Sequence, residues 1–192
     1  MLKDLVLQNR SYRKFHNDKK VTVEQLTDLI DLARNTPSSK NKQPLKYILV
    51  TNENDANLVA TQLKWAKFLK DWDGPDNNEQ PPAYIIMLLD KNINEQANID
   101  AGIAAQTILL GAVEKQLGGC IIRSINRQNI SQHFNLPANL EIIQVIAIGY
   151  PNQNIELTVA TDSDSLVYYE ENGTHFVPKR KLHDIIIIPK TN

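Results

Sequence analysis

The feature that most constrains the fold is an unbroken apolar run, AYIIMLLD, from Ala83 to Asp90. A run of this length that follows a loop rich in turn residues is typical of a buried strand, because a strand with one wet face would alternate with polar residues. A second run, LEIIQVIAIGYP from Leu140 to Pro151, is also strongly apolar. The sequence therefore predicts two strands, of which the first is buried.

Segments with helical spacing of apolar residues alternate with these strands. The clearest helix is Val21 to Asn35, where Thr22 is a good N-cap and Gln25 completes a capping box. Further helices are predicted over residues 55–72, 94–117 and 127–134, further strands over 46–51, 118–124 and 184–189, and a hairpin over 166–177 with Asn172-Gly173 at its turn. The mixed order, with no linker between two cores, predicts a single α+β domain over residues 1–192.

Charge and composition argue against several classes of function. The chain has 21 Lys and Arg against 22 Asp and Glu, a balance that does not favour nucleic acid or an anionic membrane as the main partner. Cys120 is the only cysteine and the four histidines lack paired ligand spacing, so neither a disulfide framework nor a metal site is expected. The chain shows no signal peptide and no apolar run of membrane length, and the expected location is the cytoplasm.

A small group of cations around a hydroxyl lies near the N-terminus. The stretch NRSYRKF, Asn9 to Phe15, places Arg10 and Arg13 around Ser11. Guanidinium groups bind phosphate oxygens through paired hydrogen bonds, and the two arginines would share a face if a helix ran through both. The chain has neither GxGxxG nor GxxxxGK[ST], so side chains would have to do much of the work of holding a phosphate. A solvated basic helix end explains the same residues.

Two further polar clusters follow. NTPSSKNKQP, Asn35 to Pro44, concentrates hydroxyls and amides that suit a heterocycle edge with carbonyls and an imide N–H, although Ser, Asn and Pro also form ordinary turns. VPKRKL, from Val177, places Lys179 and Arg180 after the predicted hairpin, either held on a strand end or in a solvated tail.

Together these clusters resemble the nitroreductase family of FMN-dependent flavoproteins. The family's opening pattern, close to Arg-Arg-Ser-x-Arg-x-Phe, is matched by NRSYRKF, and its Pro-Ser-x-x-Asn-x-Gln-Pro pattern by PSSKNKQP from Pro37 to Pro44. IDAGIAAQTILLGAVEKQLGGCIIRSI resembles the family's long central helix and the Gly-rich turn after it. LEIIQVIAIGYP and VPKRKL resemble a following strand and a C-terminal element, so the resemblance runs from about Asn9 to Ile188.

The resemblance implies helices around a central, mostly antiparallel mixed sheet, in a homodimer with two FMN sites at the subunit interface. A C-terminal segment would embrace the partner, with residues 184–189 as a possible strand there. By position, the implied contacts with the FMN phosphate are Arg10, Ser11, Lys179 and Arg180, and Arg13 would lie at the N1 and O2 edge of the flavin. The other subunit would contribute Pro37, Ser38, Ser39 and Asn41. Along the flavin would lie Ile122, Arg123 and Ser124, with a backbone N–H near N5, and Gln106 on the long helix is a further implied contact.

The implied activity is transfer of two electrons from NADH or NADPH through FMN to a small acceptor, a nitroaromatic, quinone or similar, by a ping-pong mechanism. The cofactor would carry this chemistry, so no catalytic side chain is expected. Two alternatives remain: a flavin-dependent relative that dehalogenates or oxidises its substrate, and a non-catalytic binder of a phosphorylated ligand. The sequence identifies neither the nucleotide donor nor the acceptor.

Three departures from the family pattern bear on the site. Asn9 replaces the first of the two common arginines, and Leu45 stands where many relatives have Trp. The polar loop from Trp72 to Pro82 is either a lid or wall beside the substrate space or a mobile connection.

Overall fold

The structure is a computed structural model that describes residues 1–66, 68–69, 72–161 and 166–189. The chain forms two compact units, the first of residues 1–65 and 73–152 and the second of residues 66–72 and 153–192. That the whole chain is one domain stays a prediction. The elements of the first unit are α1 (Leu2–Gln8), α2 (Val23–Arg34), β1 (Leu45–Val50), α3 (Glu53–Thr61), β2 (Ala83–Asp90), α4 (Asn98–Glu114), β3 (Gly118–Ile122), α5 (Arg127–His133) and β4 (Leu140–Gly149).

The four strands of the first unit form one sheet in the order β1-β2-β4-β3, and every neighbouring pair is antiparallel. Every residue of β2 is buried, which confirms the strand predicted from its apolar run. Alternate residues of β2 serve two apolar clusters: Ile85 and Met87 pack with α2 and α4, whereas Ile86 and Leu88 pack with α3 and α5. Helices therefore cover both faces of the sheet, and the predicted α+β class with a mostly antiparallel sheet is confirmed.

The cap predicted for α2 is confirmed. The Gln25 backbone N–H donates to Thr22 Oγ1 at 3.2 Å, and the Thr22 N–H donates to Gln25 Oε1 at 2.9 Å. These two bonds satisfy donors that the first turn of a helix leaves free.

The helix predicted over residues 55–72 is wrong beyond Thr61, where α3 ends. Leu63 instead forms a β-bridge with Ile125, and the Lys64 N–H donates to the Ser124 carbonyl at 2.9 Å. These pairings hold the chain after α3 against the segment that follows β3, so its backbone groups are satisfied outside a helix. Residues 67, 70 and 71 of the prediction lie outside the described residues.

The second unit contains β5 (Asn154–Val159), β6 (Tyr169–Glu171) and β7 (Thr174–Lys179), in the sheet order β5-β7-β6. β6 and β7 form the predicted hairpin, and Asn172 and Gly173 have φ values of 50° and 75°, as its two-residue turn requires. β5, which pairs parallel with β7, was missed in the sequence, although NIELTV alternates polar and apolar residues as a strand does; most of its residues are exposed.

The strand predicted over residues 184–189 is wrong within this chain. Leu182–Ile185 forms a short 3-10 helix, and the residues after it, as far as Pro189, are in no strand. Ile187 and Ile188 are 92% and 82% exposed, so no neighbouring strand of the described chain covers them. Pairing of this segment with a second subunit stays a prediction.

Candidate active site

The segment Asn9 to Phe15 is not helical, so the condition under which Arg10 and Arg13 would share a helix face is not met. α1 ends at Gln8 and Asn9 is extended. Ser11 forms a parallel β-bridge with Gly119, where the Tyr12 N–H donates to the Gly119 carbonyl at 3.1 Å. The chain is therefore extended here and lies beside β3.

Gly118 makes this close approach possible, and Gly119 beside it packs against β4 and α4. A Cβ on Gly118 would lie 2.5 Å from Cδ2 of the Tyr12 ring, and a Cβ on Gly119 would lie 2.4 Å from the Ala147 carbonyl oxygen. Both distances are well inside van der Waals contact, so any larger residue would displace a neighbour. Gly118 therefore explains how Tyr12 of NRSYRKF comes to lie against β3, and Gly119 explains how closely β3 packs on β4.

Arg10 carries an unsatisfied buried donor. Its Nη2 donates to the Val6 carbonyl at 2.8 Å, whereas its Nε is buried and has no hydrogen-bond partner among the described residues. Burial lowers the pKa of Arg10, an effect that Tyr12 partly offsets, but a guanidinium remains charged at neutral pH. A buried cationic donor without a partner is costly, and an anion beside it would remove that cost.

Arg13 adds a second positive charge to the same segment. Its Nη1 donates to the Ser11 carbonyl at 3.1 Å, and the Ser11 side chain is exposed. Burial raises the pKa of the Cys120 thiol on β3, and the Arg13 charge partly counteracts that rise. The structure thus brings Arg10, Ser11 and Arg13 together at the β3 edge of the sheet.

The segment Pro37 to Asn41 is held by one buried carboxylate, Asp100 in the first turn of α4. The Ser38 hydroxyl donates to Asp100 Oδ2, and the Ser39 N–H donates to Asp100 Oδ1 at 3.2 Å. Pro37, Ser39 and Asn41 are exposed, and Ser38 is half-buried. Asp100 was missed in the sequence, where nothing distinguishes it from any other acid in the first turn of a helix.

Ile122, Arg123 and Ser124 lie where β3 ends. Ile122 is buried, and the other two are exposed. Arg127, at the start of α5, donates from Nη2 to the Arg123 carbonyl at 3.2 Å and so ties the backbone after β3 to α5. Sequence reasoning also missed Arg127, because an Arg that binds only backbone carbonyls leaves no motif.

Gln106 lies on an exposed face of α4. Ile99, Gly102 and Ile103 share this face at helical spacing, with Ile99 75% exposed and Ile103 36% exposed. A Cβ on Gly102 would meet no heavy atom within 4 Å. The face is therefore partly apolar and open above Gly102.

Lys179 and Arg180 belong to the second unit, at the end of β7, and both are exposed. The Ala160 N–H donates to the Lys179 carbonyl at 2.8 Å, which holds the strand end. Of the two positions considered for Lys179 and Arg180, a strand end and a solvated tail, the structure shows the strand end. Their contact with a phosphate stays a prediction.

The loop predicted as a lid or a mobile connection forms one wall of a groove. The groove has a volume of about 620 Å³ and lies between Gln80 to Pro82, Asn17 to Lys20 and the start of α3. The loop is attached to the opening segment, because the Phe15 N–H donates to the Glu79 carbonyl at 2.9 Å. A role in acceptor choice stays a prediction.

Neither a metal site nor a membrane-spanning helix is present among the described residues. No three His, Cys, Asp or Glu side chains are grouped closely enough to hold a metal ion. None of the helices in the described ranges has the length and apolar character needed to cross a membrane.

Comparison with known proteins gives a consistent result. The sequence model of a family described as the nitroreductase family matches residues 6–150. An iodotyrosine deiodinase of Thermotoga neapolitana is 22% identical over 79% of this chain and 89% of its own length. An NADPH-flavin oxidoreductase of Vibrio harveyi is 25% identical over 80% of this chain and 67% of its own length. The solved structure of an FMN-dependent nitroreductase from Clostridium difficile R20291 has a TM-score of 0.65 and 29% identity, covering 84% of this chain and 92% of that one.

Proposed function

The chain belongs to the nitroreductase family, and on that premise we propose that it is an FMN-dependent oxidoreductase. The reaction is transfer of two electrons from NADH or NADPH to a small acceptor such as a nitroaromatic or a quinone. The similarity to an NADPH-flavin oxidoreductase and to an FMN-dependent nitroreductase supports this assignment.

The observation that carries the proposal is the buried Nε of Arg10, which has no hydrogen-bond partner in the part of the chain that the structure describes, beside the exposed hydroxyl of Ser11. A phosphate monoester is close to a dianion at neutral pH and accepts several charge-assisted hydrogen bonds. Arg10 and Ser11 offer a cation and a neutral donor at the edge of β3, so these residues fit the FMN phosphate. Lys179 and Arg180 are the further phosphate contacts that the family resemblance implies.

The remaining residues would hold the flavin ring. Bound FMN supplies the hydride chemistry, accepting electrons from the nicotinamide and passing them to the acceptor. Arg13 would lie at the N1 and O2 edge, where a positive charge stabilises the reduced, anionic form. The backbone of Ile122, Arg123 and Ser124 would lie along the ring and offer an N–H near N5.

The site would be completed by a second copy of the chain. The exposed face of α4 with Ile99, Ile103 and Gln106 is a surface on which a second copy could pack, because a partly apolar face loses water on association. In such a dimer, the Pro37–Asn41 loop of one subunit would reach the FMN of the other.

Steady-state kinetics test the assignment. The FMN-loaded protein is expected to oxidise NADH or NADPH when menadione or a nitrofuran is present, with parallel double-reciprocal plots as a ping-pong mechanism requires. Arg10→Met, which keeps an unbranched side chain as far as the position of Nε and removes the guanidinium charge, should weaken FMN binding. Arg34→Met, at an exposed arginine on α2, is the matched control and should not. Absence of flavin-dependent oxidation with both nucleotides and both acceptors would contradict the proposal.

The similarity to an iodotyrosine deiodinase favours one second candidate, reductive dehalogenation at the same flavin. This candidate predicts halide release from halogenated phenols under reducing conditions, with little turnover of quinones. A non-catalytic binder of a phosphorylated ligand would instead leave the purified protein colourless after incubation with FMN and desalting.

A further inference from the structure

The hydroxyl of Ser38 is already fully used as a donor. A hydroxyl has one proton, and Ser38 donates it to Asp100 Oδ2, while its oxygen accepts the Gln43 N–H at 2.9 Å. Ser38 therefore has no second proton for a ligand. Its part in this segment, the 37–41 loop (Pro37 to Asn41), is to connect the loop to α4.

Asp100 is the other end of that connection. It is 6% exposed, and its two carboxylate oxygens accept from Ser38 and from the Ser39 N–H. A buried carboxylate needs such donors, because without them its desolvation would be uncompensated. These two hydrogen bonds attach the start of the loop directly to α4.

The backbone after these bonds is in an unfavourable conformation. Lys40, Asn41 and Gln43 have φ values of 52°, 54° and 51°, in the left-handed region that residues other than glycine rarely adopt. Such conformations persist only where surrounding contacts determine them. Here the Gln43 side chain donates to the Asn41 carbonyl at 3.2 Å, and the Gln43 N–H is held by Ser38. The result is a loop that presents the exposed side chains of Ser39 and Asn41.

We propose that Asp100 is a positioning residue that holds the 37–41 loop in place for the FMN bound by the partner subunit. The inference rests on the proposed function, since it assumes that FMN binds and that the loop contacts it across the dimer. Asp100 is buried and directly follows Ile99, which lies on the exposed face of α4 proposed for subunit packing. The same helix would therefore form the dimer contact and hold the loop. Ser39 and Asn41 would make the direct contacts, and Asp100 would act through them.

Mixed dimers test this role directly. Each FMN site would combine Arg10 of one subunit with the 37–41 loop of the other. In a dimer of one Arg10→Ala subunit and one Asp100→Ala subunit, purified through two different tags, one site would have both defects and the other none. The expected result is one tightly bound FMN per mixed dimer, with wild-type affinity. Each parent homodimer should bind FMN about tenfold or more weakly, as expected for loss of charge-assisted hydrogen bonds.

Other outcomes would overturn the proposal. If Asp100 acted on its own subunit's FMN or only on folding, no site in the mixed dimer would bind with wild-type affinity. Unchanged FMN affinity in the Asp100→Ala homodimer would also refute it. Asp28→Asn is the matched control, because it removes a carboxylate that binds Lys115 at 2.8 Å just after α4, and it should leave FMN affinity unchanged.

A second variant covers failure of Asp100→Ala to fold. Ser38→Ala removes only the hydroxyl, leaves the Ser39 bond, and gives the same prediction of one tight site in a mixed dimer with Arg10→Ala. The failure of the underlying function would look different: the wild-type protein itself would bind no FMN, and the mixed dimers would never be reached.

Discussion

Replacing Arg127 by Met should destabilise the protein strongly, although no acid among the described residues forms an ion pair with its guanidinium. Arg127 Nε donates to the Ile142 carbonyl at 2.9 Å, and Nη2 donates to the carbonyls of Ile143 and Arg123, each at 3.2 Å. The pairing of β2 with β4 shifts register between Met87 and Leu88, which leaves Ile143 as an extra residue in β4. β3 ends at Ile122, close to this bulge. The Arg127 guanidinium therefore donates to the Ile142 and Ile143 carbonyls, in place of the backbone N–H groups that a longer β3 would offer.

The magnitude follows from these three bonds. A net hydrogen bond contributes about 0.5–1.5 kcal/mol, and one to a charged group about 1.5–3 kcal/mol. Arg127 is only half-buried, so water can replace part of what is lost. We therefore expect Arg127→Met to lower the free energy of unfolding by roughly 2–4 kcal/mol. That is a large part of the 5–15 kcal/mol typical of a folded protein.

Urea unfolding at one fixed protein concentration measures the effect, because the stability of the proposed dimer would depend on concentration. Arg34→Met is the matched control: Arg34 is exposed and bonds only its neighbour Asp31 on the surface of α2, an ion pair expected to contribute under about 1 kcal/mol. Arg127→Lys should fall between the two, because an ammonium keeps the charge and loses the planar set of donors. If Arg127→Met and Arg34→Met destabilise equally, the bulge is not held by the guanidinium and the reasoning fails.

Three further predictions concern the sheet and its ionisable groups. Gly119→Ala should destabilise the protein by about 1–3 kcal/mol in urea unfolding and weaken FMN binding, because its Cβ would lie 2.4 Å from the Ala147 carbonyl oxygen; near-wild-type stability would refute this. Hydrogen bonds, of which that from Asn52 has the largest effect, hold the pKa of Asp55 below its ordinary value, so the stability that Asp55 contributes should be present at neutral pH and be lost as the pH falls below about 4. Asp55→Asn should flatten this acid dependence in unfolding curves taken from pH 7 to pH 3. Burial raises the pKa of the Cys120 thiol, so a disulfide reagent such as DTNB should label it slowly in the folded protein at pH 8 and rapidly in urea; equal rates would contradict the burial.

The parts of the fold that could be predicted are those whose sequence signal is local. The cap of α2, the apolar run of β2 and the Asn172-Gly173 turn each specify their conformation within a few residues. The errors arose where distant contacts decide. The residues after Thr61 have helical spacing, but they pair with the segment after β3 instead of forming a helix. β5 is a strand through its parallel pairing with β7.

The same distinction applies to the site. The sequence pointed to Arg10 and Ser11 as a phosphate-binding pair, and the structure places them together at β3, although in an extended segment rather than a helix. The contacts of Asp100 and Arg127 could not be predicted, because each acts on backbone or side-chain groups far away in the chain. The contacts of such residues depend on how the sheet and α4 are arranged in the folded structure.

The most direct test of the central claim is an absorption spectrum of the purified protein after incubation with FMN and desalting, followed by anaerobic addition of NADH or NADPH. We expect about one FMN retained per chain, with flavin absorption bands that bleach with at least one nucleotide and return when menadione is added. A protein that retains no flavin, or one whose bound flavin bleaches with neither nucleotide, would contradict the assignment as an NAD(P)H-dependent flavin oxidoreductase.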